Sequence, residues 1–325
     1  MASLNVAEGA KHAAILGIGS YRPSRVIPNS EVVAAIDSSD EWIQQRSGIK
    51  QRRWATPEET VQVMSVAAAR QALERAGVDA RQIDTVVVAT VTHLLQTPAI
   101  ATAIAHELGT DQAAAFDISA ACAGFCHGLA LANDLVRGGS AGHVLVIGVE
   151  RLSDLTDVGE DERGAAVVGP SDTAGIGPVV WGSDGEQFDL IRQREDWRDV
   201  IASERPEMPH LVMQGNPVFR WASFVMAKVG QQALDRAGIT ADQLDCFVPH
   251  QANMRITDAM ARAMKLPETV KIARDIAEQG NTSAASIPLA LDRMYAEGDA
   301  KSGDTALLIA FGAGLAYAAQ VVVLP

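Results

Sequence analysis

Cysteine is scarce in this chain. There are three in 325 residues, an odd number and too few for a disulfide scaffold, so free thiols in a reducing compartment are expected. Long apolar runs are missing too: none reaches the roughly 18–20 residues of a membrane span. The opening MASLNVAEGAKH is too polar for a signal peptide and reads as a loose tail over residues 1–12 of a cytoplasmic protein. Basic residues are outnumbered, 27 Lys and Arg against 40 Asp and Glu, for a net charge of −13. That balance argues against general nucleic-acid binding, although a local basic patch would still suit an acidic partner. What is plentiful is apolar: 48% of residues are hydrophobic and 21% charged, the balance of a soluble globular protein with one large core or two medium ones.

Strand-like and helix-like runs alternate. AAILGIGSY, DTVVVATV, AAAFDIS and HVLVIGV read as strands; VQVMSVAAARQALERAG and AIATAIAHELG read as helices, each ended by Gly. Near-continuous apolar strands separated by helices predict a mostly parallel sheet covered on both faces. The chain also repeats itself about half its length apart. QALERAGVDARQIDT from Gln71 and QALDRAGITADQLDC from Gln232 agree through a helix, a Gly stop, a turn and the start of a strand. Similarity between two amphipathic helices would not continue through the turn, so a duplicated α/β unit is expected. The parallel extends to HVLVIGVE and TALLIAFGAG, and to the helix starts at Cys122 and Asn281.

Cys122 stands where an apolar strand runs into a helix. A helix N-terminus favours thiolate over thiol, so this position suits a nucleophile, and Ala121, Ala123 and Gly124 leave room for a substrate. The plainer alternative is a buried core cysteine, which is how Cys126 and Cys246 read. No Cys/His set completes a metal site. His250, in FVPHQANMRI, follows a strand of the second repeat, where an open α/β fold presents ligand-binding residues. Asn281, in EQGNTSAASIP, is either a helix cap or an amide donor facing a crevice. FGAGLAYA from Phe311 could bring backbone N–H groups close to an oxyanion. A Cys–His pair with an amide third partner gives the histidine no anion to hold it protonated. It suits carbon–carbon bond formation at thioesters better than proteolysis.

AACAGF, VPHQAN and GNTSAAS, in that order, resemble the active-site signatures of the beta-ketoacyl-acyl-carrier-protein synthase III family, and SSDEWIQQRSGIKQRR and FGAGLAYA follow its pattern as well. The resemblance covers nearly the whole chain from Ala13. It implies the duplicated thiolase fold, an α/β protein of α-β-α-β-α layers with pseudo-equivalent halves over 13–180 and 181–325, acting as a homodimer. It implies Cys122 as the acylated nucleophile, with His250 and Asn281 driving a decarboxylative condensation. The backbone N–H groups of Cys122 and Ala313 would form the oxyanion hole. Acyl-CoA and malonyl-acyl carrier protein would be the substrates, with no cofactor. Trp42, Arg46 and Arg163 match CoA-contacting positions, and Thr97 an acyl-channel position that is bulkier in some members. Arg255 and Arg220 match carrier-protein docking positions. Arg262 and Lys265 extend them into a basic ridge, Arg262 lying seven residues after Arg255 on one helical face.

The stretch DLTDVGEDERGAAVVG, around Val158, is shorter than the family's usual segment, and a true deletion there is expected to remove a buried strand. Two other activities fit the same residues: transfer of an acyl group to an alcohol or amine, and binding of acyl groups without catalysis.

Overall fold

The computed structural model describes residues 4–34, 36–110, 112–156 and 161–325, with Glu162 described by its backbone alone. Among the described residues, strands β1 (His12–Tyr21), β2 (Thr85–Ala89), β3 (Ala114–Ile118), β4 (Val144–Arg151) and β5 (Asp161–Ser171) form one five-stranded sheet in the order β1-β5-β4-β2-β3. Strands β6 (Val180–Ser183), β7 (Cys246–Pro249), β8 (Lys271–Ile272), β9 (Thr305–Gly312) and β10 (Ala316–Val323) form a second, in the order β6-β10-β9-β7-β8. Strand for strand the two orders are the same. The pairing directions agree as well: β2 is parallel to β3 and β4, β7 is parallel to β8 and β9, and the other neighbours are antiparallel. Each sheet is therefore mixed rather than mostly parallel. The antiparallel pairs are β1–β5 and β4–β5 in one sheet and β6–β10 and β9–β10 in the other, which an apolar run alone does not distinguish from parallel ones.

The main helices are α1 (Asp40–Ser47), α2 (Val61–Ala76), α3 (Ile100–Leu108), α4 (Gly124–Arg137), α5 (Gly215–Ala237), α6 (Met254–Ala263) and α7 (Ser286–Glu297). α4 and α7 lie between the sheets. Phe125, Leu129 and Val136 of α4 and Ile287, Leu291 and Met294 of α7 share one buried cluster with Val87, Val146, Val248 and Leu308 from both sheets. α2 and α3 cover the outer face of the first sheet, α5 and α6 that of the second. The result is five layers, α-β-α-β-α. Burying a Leu or Phe in such layers contributes on the order of 2 kcal/mol each, and the two sheets become one body through the shared middle layer.

The sequence repeat has a local cause. α2 and α5 both stop at a left-handed glycine, Gly77 and Gly238. Each is followed by a short turn closed by a capping box, Asp79 with Gln82 and Thr240 with Gln243, which aims the chain into β2 or β7. Charge also ties the halves. Asp292 of α7 accepts from the Ser20 hydroxyl at 2.6 Å, Arg22 at 2.8 Å and Arg75 at 2.7 Å, all from the first half.

β5, which carries GAAVVG, lies antiparallel between β1 and β4. Residues 157–160, around Val158, lie outside the described residues. The opening segment is docked at its inner end: Ala10 N–H donates to Val136 O at 3.1 Å, and β1 begins at His12. No helix among the described residues is long and apolar enough to cross a membrane.

Candidate active site

A cavity of about 1260 Å³ opens between the C-terminal ends of the parallel strands of both halves, and Cys122, His250, Asn281 and Ala313 all line it. Cys122 follows the edge strand β3, His250 the buried strand β7, Asn281 a short helix, and Ala313 the buried strand β9. After β3 the chain forms a tight turn, Ala121–Ala123, before α4; after Gln279 the matching turn is Ser283–Ala285, before α7. Ala121 and Ser283 both take positive φ, 44° and 50°. Such backbone is uncommon outside glycine and costs about 1 kcal/mol or more, so the surrounding packing holds both turns. Structural equivalence therefore matches Cys122 with Ala284, and Asn281 lies just ahead of its own turn.

Backbone contacts fix the turns in place. A Cβ on Gly148 of β4 would stand 2.2 Å from Ala284 O, so the second-half turn rests directly on the first-half sheet. A Cβ on Gly312 would stand 2.7 Å from Cys122 N, so the end of β9 rests on the backbone of Cys122. Ala313 follows at once, which brings its main chain beside that of Cys122.

Cys122 is half-buried. Burial pushes its thiol up to about 11; the neighbouring Ser283 hydroxyl works against this, and the nearby Glu150 charge adds to it. The expected advantage of the helix N-terminus is thus outweighed in the resting protein, because desolvation and a neighbouring anion both oppose a thiolate. Cys126 and Cys246 are fully buried core residues. His250 is buried, and burial holds its pKa down at about 3, so the ring is neutral around pH 7. Its Nδ1 lies 2.8 Å from Ser286 Oγ, and its ring meets the edge of Phe311 at 5.8 Å. Asn281 Oδ1 accepts from Ser283 N–H at 3.0 Å, which leaves the amide nitrogen as its donor.

Trp42 and Arg46 line the same cavity from α1. Trp42 is 55% exposed, and the Arg46 guanidinium carbon lies 5.7 Å from its ring centroid. Ser39 caps α1 by accepting from Trp42 N–H at 3.1 Å, and Asn253 Nδ2 donates to Arg46 O at 2.9 Å, tying the helix to the start of α6. Arg255 of α6 is exposed, also lines the cavity, and stacks 4.8 Å over Phe219. Arg220, Arg262 and Lys265 are exposed on α5 and around the end of α6.

Two expected site residues are elsewhere. Arg163 is fully buried in β5, opposite Val149 of β4, where its charge acts on Glu150; it cannot reach a ligand in the cavity. Thr97 is exposed and outside the lining, which uses Leu94, Leu95 and Gln96 instead. The chain leaves the cavity there to start α3, whose first N–H groups, of Ile100 and Ala101, Asp117 holds at 2.9 and 3.0 Å.

Sequence reasoning gave no role to Glu150, Ser283 or Ser286. Glu150 ends HVLVIGVE, and an acid closing a fully buried strand is the signal that was available. No group of His, Cys, Asp and Glu suited to a metal occurs among the described residues.

A duplicated five-layer α/β protein with Cys from one half and His and Asn from the other defines a condensing enzyme of the thiolase type. Residues 116–185 match the family described as 3-oxoacyl-[acyl-carrier-protein (ACP)] synthase III, and residues 234–324 match its C-terminal part. The chain is 58% identical to beta-ketoacyl-[acyl-carrier-protein] synthase III 1 of Streptomyces coelicolor and 56% identical to the synthase III of Streptomyces glaucescens, with all of each chain covered. Among solved structures, the priming beta-ketosynthase of the R1128 polyketide pathway superposes with a TM-score of 0.97 at 49% identity, over 100% of this chain and 99% of that one. The synthase III of Aquifex aeolicus superposes with a TM-score of 0.87 at 34% identity, over 96% of this chain and 99% of that one. The chain belongs to the beta-ketoacyl-[acyl-carrier-protein] synthase III family of acyl-transferring condensing enzymes.

Proposed function

We propose that the chain condenses an acyl group from acyl-CoA with a malonyl unit carried by an acyl carrier protein, so starting a fatty-acid or polyketide chain. The observation that carries this reading is the convergence of Cys122, His250 and Asn281 on one cavity, whose lining also includes Trp42, Arg46 and Arg255. Trp42 and Arg46 offer a flat face and a charge to the nucleotide end of CoA. Cys122 Sγ takes the acyl group, and the N–H groups of Cys122 and Ala313 receive the thioester oxygen as charge develops on it. In the second half-reaction CO2 leaves the malonyl thioester. The neutral His250 ring and the Asn281 amide donate hydrogen bonds to the resulting enolate oxygen. The enolate carbon attacks the acyl thioester, the new carbon–carbon bond forms, and Cys122 leaves as a thiolate that regains a proton.

A neutral histidine matters here. With its pKa held near 3 by burial, the ring stays an uncharged donor while anions form beside it. Acyl-CoA is a substrate in this scheme, and the steps draw on no cofactor. The exposed cations Arg220, Arg255 and Arg262 would meet the acidic carrier protein, on a chain that is otherwise acidic.

A homodimer belongs to the same reading. β3 is one edge of the first sheet and carries exposed Ala114 and Phe116; pairing with a second copy would cover it. Free thiols and thioester substrates suit the reducing cytoplasm.

Incubation with an acyl-CoA series and malonyl-carrier protein tests the reaction. Release of CO2 together with a 3-oxoacyl-carrier protein supports it. Acyl transfer to an alcohol or amine without CO2 would replace it with the simpler acyltransferase.

A further inference from the structure

Glu150 is a buried acid beside the nucleophile to which the scheme above gives no task. It follows six buried apolar or glycine residues of β4 and is fully buried itself. Glu150 Oε2 accepts from Val91 N–H at 3.1 Å, Thr92 Oγ1 at 2.8 Å and Thr90 Oγ1 at 3.3 Å. Its Oε1 accepts from Ser283 Oγ at 3.3 Å. Ser283 lines the cavity with Cys122, and its hydroxyl is close enough to the thiol to lower the thiol's pKa. One hydroxyl thus stands between an acid and the thiol that must lose a proton.

Among the described side chains, Arg163 of β5 acts on Glu150, and Cys122 faces it across Ser283; the Glu162 backbone pairs with it in the β4–β5 ladder. Burial raises the carboxyl to about 7, against lowering contributions from Val91, Thr92, Arg163 and Ser283. A thiolate formed beside a carboxylate would put two anions in one desolvated site. Moving the thiol proton onto Glu150 keeps the charge of the pair at one. His250 is poorly placed to hold that proton, because its buried ring has Ser286 rather than a carboxylate at Nδ1.

We propose that Glu150 is a positioning residue that orients the Ser283 hydroxyl and, through it, receives the Cys122 thiol proton while the acyl group is taken up. Cys122 Sγ bonds to the acyl carbon as that carbon's bond to the CoA sulfur breaks. The thiol proton passes to Ser283 Oγ, and the hydroxyl's own hydrogen passes to Glu150 Oε1, leaving a neutral acid. The relay then returns one proton to the departing CoA sulfur, so Glu150 ends ionised and CoA leaves as a thiol. This rests on the acyl-cysteine reading above.

The test is the single-turnover rate of Cys122 acylation by acetyl-CoA, followed by intact-protein mass from about pH 5.5 to 9, with thermal melting as the folding control. In the unchanged protein the rate should fall as pH drops through about 7, where Glu150 takes up a proton. Glu150→Gln should remove that inflection and slow acylation by roughly 10²-fold at the alkaline end. Glu150→Asp, which keeps a carboxyl, should recover a pH-dependent rate. Ser283→Ala should remove the inflection with the acid still in place, and it decides the matter if Glu150→Gln does not fold. An inflection near pH 7 that survives in Glu150→Gln or in Ser283→Ala overturns the proposal. So does acylation by Glu150→Gln within about threefold of the unchanged rate. Failure of the unchanged protein to form any acyl-Cys122 would overturn the acyl-cysteine reading, and the relay with it.

Discussion

Gly312 lies so close to Cys122 that a Cβ added to it would stand 2.7 Å from the Cys122 backbone nitrogen and 3.2 Å from Ala120 O. The end of β9 in one half and the Cys122 turn of the other are therefore seated on each other through main chain and the Ala121 Cβ at 3.1 Å, with no flexible side chain to give way. Gly312→Ala should push the two turns apart and spoil the oxyanion donors. We expect kcat to fall on the order of 10²-fold with KM for acyl-CoA little changed, as for loss of an interaction made in the transition state. Steady-state kinetics check it; a rise in KM alone would place the Gly312 contact in substrate binding instead.

Trp42 and Arg46 form an exposed pair at the cavity, 5.7 Å from guanidinium carbon to ring centroid. Trp42→Ala should raise KM for acyl-CoA by about tenfold, the worth of a stacked contact of roughly 1–2 kcal/mol. A short acyl thioester without the nucleotide should lose nothing. Equal losses with both substrates would mean that Trp42 supports the helix rather than the ligand.

Arg255→Glu should weaken the carrier-protein half-reaction and spare acylation by acyl-CoA. Arg255 is exposed and its contact with Phe219 is 4.8 Å, so the charge acts mainly on association and its effect should shrink as salt rises. Rates of both half-reactions at low and high salt check it.

Glu150 also sets a pH dependence of stability. Its folded pKa, about 7, lies above the ordinary 4.5, so the folded protein keeps a proton that the unfolded chain has lost between those values. Stability from this group is full below pH 4.5 and is lost as pH rises through 7. Glu150→Gln should therefore gain on the unchanged protein across this window, at up to about 1.4 kcal/mol per pH unit. Denaturant unfolding of both proteins at several pH values reads the difference directly; parallel curves would contradict it.

The duplication was legible in the sequence because its cause is local. A helix, a left-handed glycine, a capping box and a buried strand follow one another at Gln71 and again at Gln232, and each step has its own residue signature. That Cys122, His250 and Asn281 meet in one cavity was legible for a related reason: each stands in a short motif of its own. What failed depended on contacts distant in the chain. Arg163 follows a loop in sequence, and only the register of β5 against β4 puts it inside. Thr97 stands near lining residues, yet the chain has already turned toward α3. The helix-terminus argument for Cys122 is local, whereas burial and Glu150, which outweigh it, are tertiary. Glu150 and Ser283 are 133 residues apart, and nothing in either stretch names the other.

In the proposed function Cys122 carries the acyl group while His250 and Asn281 do the decarboxylation. The most direct measurement compares the unchanged protein with Cys122→Ala, by intact mass after acyl-CoA and by CO2 release from malonyl-carrier protein. The account predicts one acyl group on the peptide containing Cys122 in the unchanged protein. It predicts none in Cys122→Ala, which still releases CO2. An acyl group retained by Cys122→Ala would contradict it.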